Sequence, residues 1–116
     1  MSHTELVERY YEAVDAMDAE GLESVLAPEF RQERGDRSFE GRDRFVEFMM
    51  TERPRTDTVH AVDTLFRPAV DADDARGREV AAHGRLFGED GEELFAFVDL
   101  FSVEDGEIVE LRTFTK

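Results

Sequence analysis

The hydrophobic period of this chain changes once, near residue 57, and that change limits the folds open to it. Before it, apolar residues recur at helical spacing; after it they alternate in long runs broken by Asp-Gly turns. Residues 4–18 place Leu6, Val7, Tyr10, Tyr11, Val14 and Met17 on one helical face, and Glu5, Glu8, Arg9, Glu12 and Asp15 on the other. Ser2 and Glu5 have the spacing of a capping box. A second, short helix follows, with Asp18 as N-cap, Leu22, Val25 and Leu26 buried, and Pro28 as its end. Residues 29–34 form a candidate short strand and Gly35, Asp36 and Gly41 a loop-like stretch. Phe45, Val46, Phe48, Met49 and Met50 mark a third helix that stops before Pro54.

The remainder reads as strands at 57–70, 78–88, 92–103 and 107–115. The segments Asp71–Gly77, Glu89-Asp90-Gly91 and Glu104-Asp105-Gly106 are the turns between them. The predicted fold class is α+β, with helices packed on one face of an antiparallel sheet. With 116 residues there is room for one core, so residues 1–116 are expected to form a single domain. Hairpin register decides which side chains share a face. A two-residue Asp-Gly loop would set Asp99 against Arg112, whereas a three-residue loop with a bulge puts Leu111 and Thr113 on the Asp99 face. Apolar content favours the second register, with Val109, Leu111 and Thr113 inward. The same loop at Glu89-Asp90-Gly91 places His83 on the face of Phe97 and Asp99, although Val80, Ala82 and Leu86 on the opposite face are equally apolar.

Charge excludes several function classes. The chain carries 29 acidic and 14 basic residues, a net charge of −15, spread along its whole length. Nucleic acid and anionic membrane surfaces both require basic patches and are not expected partners. Cysteine is absent, which removes disulfides, thiolate nucleophiles and Cys-metal sites. His3 and His60 have no spacing to acids that suggests a metal, and Asp71-Ala72-Asp73-Asp74 lacks the later glycine and glutamate of a calcium loop. No phosphate-cradling glycine loop is present, so no cofactor is expected. No apolar run approaches the roughly 18 residues of a membrane span, and the N-terminus lacks a basic segment leading into an apolar one. A cytoplasmic location is the default expectation.

Three local patterns, in this order, resemble the NTF2-like superfamily in its SnoaL-like and ketosteroid-isomerase-like branches. They are Glu8-Arg9-Tyr10-Tyr11-Glu12-Ala13-Val14 running into Met17-Asp18-Ala19-Glu20-Gly21-Leu22, then Gly41-Arg42-Asp43-Arg44-Phe45, then Val98-Asp99-Leu100-Phe101 through Asp105-Gly106-Glu107-Ile108-Val109 to Arg112. The resemblance implies a cone, a curved antiparallel sheet wrapped around the first helix with a pocket at its wide end. In the isomerase-like branch it implies an oxyanion hole from a helix tyrosine and a strand aspartic acid, matched here by Tyr10 and Asp99. A carboxyl flanked by Phe97, Leu100 and Phe101 is expected to be desolvated and therefore to favour its protonated, donating form. The base of that branch has no match: Arg34 stands at its position, and alternation points the neighbouring Glu33 to the other face. SnoaL-like cyclases use a strand aspartate with a histidine in the pocket, a pattern that Asp99 and His83 fit. The epoxide-hydrolase relatives need an arginine two residues before the aspartate, where this chain has Phe97.

The expected function is therefore a SnoaL-like pocket for a small apolar or carbonyl-containing molecule. Acid/base isomerisation, cyclisation or dehydration would use Asp99 with Tyr10 or His83, and Phe97, Leu111 and Thr113 would line the pocket. The alternative is a non-catalytic ligand-binding domain, or a homodimer through the outer sheet face built on Ile108 and Phe114. Asp99 could also pair structurally with Arg112. Thirteen of the basic residues are arginine and only Lys116 is lysine, an acid-rich, lysine-poor composition that resembles proteins of salt-loving microbes. Dense carboxylates repel at low ionic strength, and about 1 M salt shortens the Debye length to roughly 3 Å. The melting temperature is expected to rise from low to multimolar KCl; a flat or falling curve would contradict this.

Overall fold

The computed structural model describes residues 2–67 and 78–116. The segment Asp71–Gly77, with Asp71-Ala72-Asp73-Asp74 inside it, lies outside the described residues. Helix α1 (His3–Asp15) starts at the expected capping box, where Ser2 Oγ accepts from Glu5 N at 3.1 Å and Glu5 Oε1 accepts from Ser2 N at 3.2 Å. It ends earlier than the apolar spacing suggested, because Met17 turns to a positive φ of 56° and Asp18 N donates to Ala13 O at 2.9 Å. Helix α2 (Ala19–Val25) is capped by Asp18, which accepts from Gly21 N at 3.0 Å. Strand β1 (Leu26–Arg34) follows at once, so Leu26 and Pro28 belong to a strand rather than to the end of a helix. Pro28 is exposed there, at a point where the pairing of β1 with its neighbour is irregular.

The loop-like stretch contains a short strand, β2 (Ser38–Glu40), paired with β1. Gly41, at φ 93°, then opens α3 (Arg42–Glu47), which widens into a π-helical turn (Phe48–Glu52) closed by Arg53 N donating to Phe48 O at 3.0 Å. Strands β3 (Val59–Phe66), β4 (Arg78–Phe87), β5 (Glu93–Glu104) and β6 (Glu107–Thr115) complete a six-stranded sheet in the order β2-β1-β6-β5-β4-β3. The sheet is curved and unclosed, and the helices pack on its inner face as expected for an α+β cone. It is mixed rather than wholly antiparallel, because β1 runs parallel to β6. The core is continuous from α1 through the sheet, and Val7, Val14, Leu22, Phe30, Phe45 and Phe101 are without solvent exposure. Tyr10 and Tyr11 pack edge-on to Phe101 at centroid distances of 5.3 and 5.7 Å.

Two bulges fix which residues face inward. The β5–β6 turn is a two-residue loop with Asp105 and Gly106 both at positive φ (51° and 76°), as a type I′ turn requires. Alone it would set Asp99 against Arg112. Val109 is left unpaired between Ser102↔Glu110 and Val103↔Ile108, and beyond it Asp99 meets Thr113 and Phe101 meets Leu111. The expected face is thus reached through an interior bulge rather than a longer loop. Ile108, before the bulge, is fully buried while Val109 is only half-buried, the reverse of the expected assignment.

A second bulge, at Leu94, lies between Leu86↔Phe95 and Phe87↔Glu93. It reverses the parity of β4 against β5, so Ala82 faces Asp99 while His83 pairs with the exposed Val98. In β4, Gly84 lies between Val62 and Phe97, and a Cβ there would collide with Ala61 O and come within 2.9 Å of the Phe97 ring. Gly84→Ala is expected to destabilise the fold by about 1–3 kcal/mol in denaturant unfolding. Gly35→Ala, where a Cβ meets nothing within 4 Å, should be close to neutral. Equal midpoints for the two variants would contradict the packing described.

Candidate active site

A cavity of about 280 Å³ opens between the helices and one end of the sheet. Its apolar wall is Phe48, Met49, Leu86, Leu94, Phe95 and Phe97; its polar groups come from α1 (Tyr10), β1 (Gln32, Arg34), the segment after the π turn (Arg53, Arg55, Thr58), β3 (His60), β5 (Asp99) and β6 (Thr113). Local structure explains the convergence. The widened turn carries Phe48 and Met49 to the wall, the Leu94 bulge aims Leu94 and Phe95 at the same space, and alternation in β1 turns Gln32 and Arg34 inward. Glu33 is exposed on the opposite face beside Arg31, as alternation indicated.

Asp99 is the centre of the polar group. It is 5% exposed, and its Oδ2 accepts a 2.6 Å hydrogen bond from the Tyr11 hydroxyl. Its Oδ1 is buried with no partner. Burial raises the Asp99 pKa above the ordinary carboxylate value, outweighing the Tyr11 and Thr113 hydroxyls and the charges of His60 and Arg34, which pull the other way. Burial, followed by the nearby Asp99, also pushes the Tyr11 hydroxyl upward, so Tyr11 stays a donor. Tyr10, the tyrosine matched by resemblance, lines the cavity but makes no hydrogen bond to Asp99; the adjacent Tyr11 holds that place. Burial raises the Tyr10 pKa as well.

Several expected positions are corrected. His83 is exposed on the outer sheet face, turned there by the Leu94 bulge, and is not in the cavity. Phe97 and Thr113 line the cavity, whereas Leu111 is sealed in the core at 1% exposure. Arg112 points outward toward Glu79 at 3.6 Å, so it is not the partner of Asp99. The histidine of the cavity is His60, which the sequence analysis considered only as a metal ligand. Its Nδ1 lies 2.6 Å from Asp15 Oδ1, and its backbone N donates to Asp15 Oδ2 at 3.0 Å. In the uncharged tautomer whose Nδ1–H donates to Asp15, the other ring nitrogen carries a lone pair. The ring packs against Tyr11 and Phe97 at 5.1 and 5.5 Å. The available signal was Asp15, an acid in the last turn of α1 one residue from the apolar face, where it can receive a group from the neighbouring strand. Among the described residues no three His, Cys, Asp or Glu side chains gather at metal-ligating range.

The chain was compared with known families and structures. The SnoaL-like domain model matches residues 7–111. No curated protein sequence matches the chain. An NTF2-like protein of unknown function from Cytophaga hutchinsonii superposes with a TM-score of 0.78 at 17% identity, covering 100% of this chain and 91% of that one. A candidate SnoaL-like polyketide cyclase from Jannaschia sp. CCS1 gives 0.76 at 22% identity, covering 97% and 84%. A candidate ketosteroid isomerase from Kribbella flavida gives 0.76 at 23% identity, covering 96% and 75%. At these identities the structural likeness is one of fold. The family match over nearly the whole length places this chain in the SnoaL-like family, and the structural likeness gives it an NTF2-like fold.

Proposed function

We propose that the cavity takes a small, largely apolar, carbonyl-containing molecule and performs acid/base chemistry on it, with Asp99 as the proton carrier. The observation that carries this reading is Asp99 itself: Oδ2 is held by Tyr11 while Oδ1 is buried and unpartnered in a largely apolar cavity. A substrate carbonyl oxygen against the protonated carboxyl receives its hydrogen bond as negative charge develops there. His60, oriented by Asp15, is the complementary acceptor for a proton on the carbon next to that carbonyl. It supplies the base for which β1 offers only Arg34. Return of the proton elsewhere on the molecule gives isomerisation, loss of a β-hydroxyl as water gives dehydration, and attack of the carbanion on a second carbonyl gives ring closure.

Asp99→Asn is expected to lower turnover of an identified carbonyl substrate by about 100-fold or more, and His60→Gln by a comparable factor. Full activity in Asp99→Asn would remove Asp99 from the mechanism. Stability carries a separate signature. The folded chain binds the Asp99 proton more tightly than the unfolded chain, whose reference value is 3.8. That contribution is therefore fully present below 3.8 and is lost as pH rises through the folded value. Against Asp99→Asn, wild type should lose relative stability across that window, and a gap independent of pH would contradict the assignment.

A second reading, a homodimer through the outer face, draws support from Val98 and Phe114, cross-strand partners that are 40% and 56% exposed. Ile108, expected on that face, belongs to the core. On this reading sedimentation gives a dimer that Phe114→Glu dissociates; a monomeric wild type would refute it.

A further inference from the structure

The cavity reverses the charge of the protein around it. In a chain of net charge −15, Arg34, Arg53 and Arg55 line this cavity against a single carboxyl, Asp99, which burial biases toward its neutral form. Arg55 is matched by Asp57 at 2.9 Å and Glu92 at 3.4 Å. Arg34 and Arg53 are not matched: among the described residues no carboxylate lies within salt-bridge range of either. Arg53 is half-buried and reaches Thr58 Oγ1 (3.5 Å), Val14 O (3.3 Å) and Met17 Sδ (3.0 Å), while its buried Nε has no acceptor. That desolvation holds its pKa below the usual arginine value. A guanidinium taken from water without a counter-charge is costly, in a molecule with 29 carboxylates from which to choose one. Gln32 Oε1, also buried without a partner on a side chain 5% exposed, belongs to the same wall.

We infer that the natural ligand of this cavity is an anion, an apolar carboxylic acid in its ionised form, whose carboxylate accepts from Arg53 in the positive field of Arg34 while its apolar body lies on Phe48, Phe95 and Phe97. The inference rests on the cavity being a small-molecule site and adds the charge of the molecule. Carboxylate geometry suits a guanidinium, and the charge-assisted bond supplies the acceptor that Arg53 Nε lacks. Selectivity against the many other apolar carbonyl compounds follows, since a neutral carbonyl accepts from that guanidinium without charge assistance and leaves its charge uncompensated.

The test is calorimetric titration of the full chain, at one fixed KCl concentration, with matched pairs that differ only in charge: phenylacetate against phenylacetamide, and hexanoate against hexanamide. The acids are expected to bind about 10- to 100-fold more tightly than their amides. Arg53→Gln and Arg34→Gln should each erase most of that preference, with the acids weakened more than the amides, and thermal unfolding midpoints report that the variants are folded. Amides binding as tightly as the acids would overturn the anion assignment and leave the neutral carbonyl pocket standing. Binding of neither member of any pair would overturn both.

Discussion

The side-chain parity of β5 is the constraint on which the rest of this molecule depends. Phe97, Asp99, Phe101 and Val103 face the helices because β5 is bonded on both sides, to β4 and β6, with no freedom to slip by one residue. A slip would carry every inward side chain to solvent and bring Val98, Leu100 and Ser102 inside. With that parity set, one acid enters an apolar cone where it is desolvated, and α1 supplies Tyr11 as a hydrogen-bond donor to it at 2.6 Å.

The same parity explains what was legible in the sequence. The helices announced themselves by the spacing of Leu6, Tyr10 and Val14 and by the Ser2–Glu5 box, because those signals are local. The inward position of Asp99 followed from its neighbours Phe97 and Phe101. The unpaired residues Leu94 and Val109 carried no such signal: each is an apolar residue in an apolar strand, indistinguishable by composition from its paired neighbours. Yet Leu94 decides that His83 leaves the cavity, and Val109 decides that Thr113 rather than Arg112 meets Asp99. The parallel pairing of β1 with β6 joins residues some eighty positions apart, beyond the reach of any turn motif. The Asp15–His60 pair was hidden for a similar reason, since an acid at the edge of a polar helix face reads as solvated until the strand beside it is known.

Charge divides the molecule into two environments. On the surface, carboxylates outnumber arginines, and the exposed ion pairs, such as Arg44 with Glu52 at 2.6 Å and Arg85 with Asp63 at 3.2 Å, stabilise little individually. Inside the cavity the balance is opposite, with arginines around an acid whose pKa burial raises. The net charge therefore describes how the protein meets its solvent, and the lining of the cavity departs from it.

The central claim is that Asp99 is a buried, proton-holding acid whose Oδ1 has no hydrogen-bond partner in an apolar site. Its side-chain carboxyl can be followed directly by carbon-13 NMR through a pH titration of the ¹³C-labelled chain. The account predicts a midpoint clearly above the ordinary value of 3.8, with the Tyr11 hydroxyl remaining protonated throughout. A midpoint at or below 3.8 would show that Asp99 is an ordinary ionised carboxylate, and the mechanism built on its proton would fall with it.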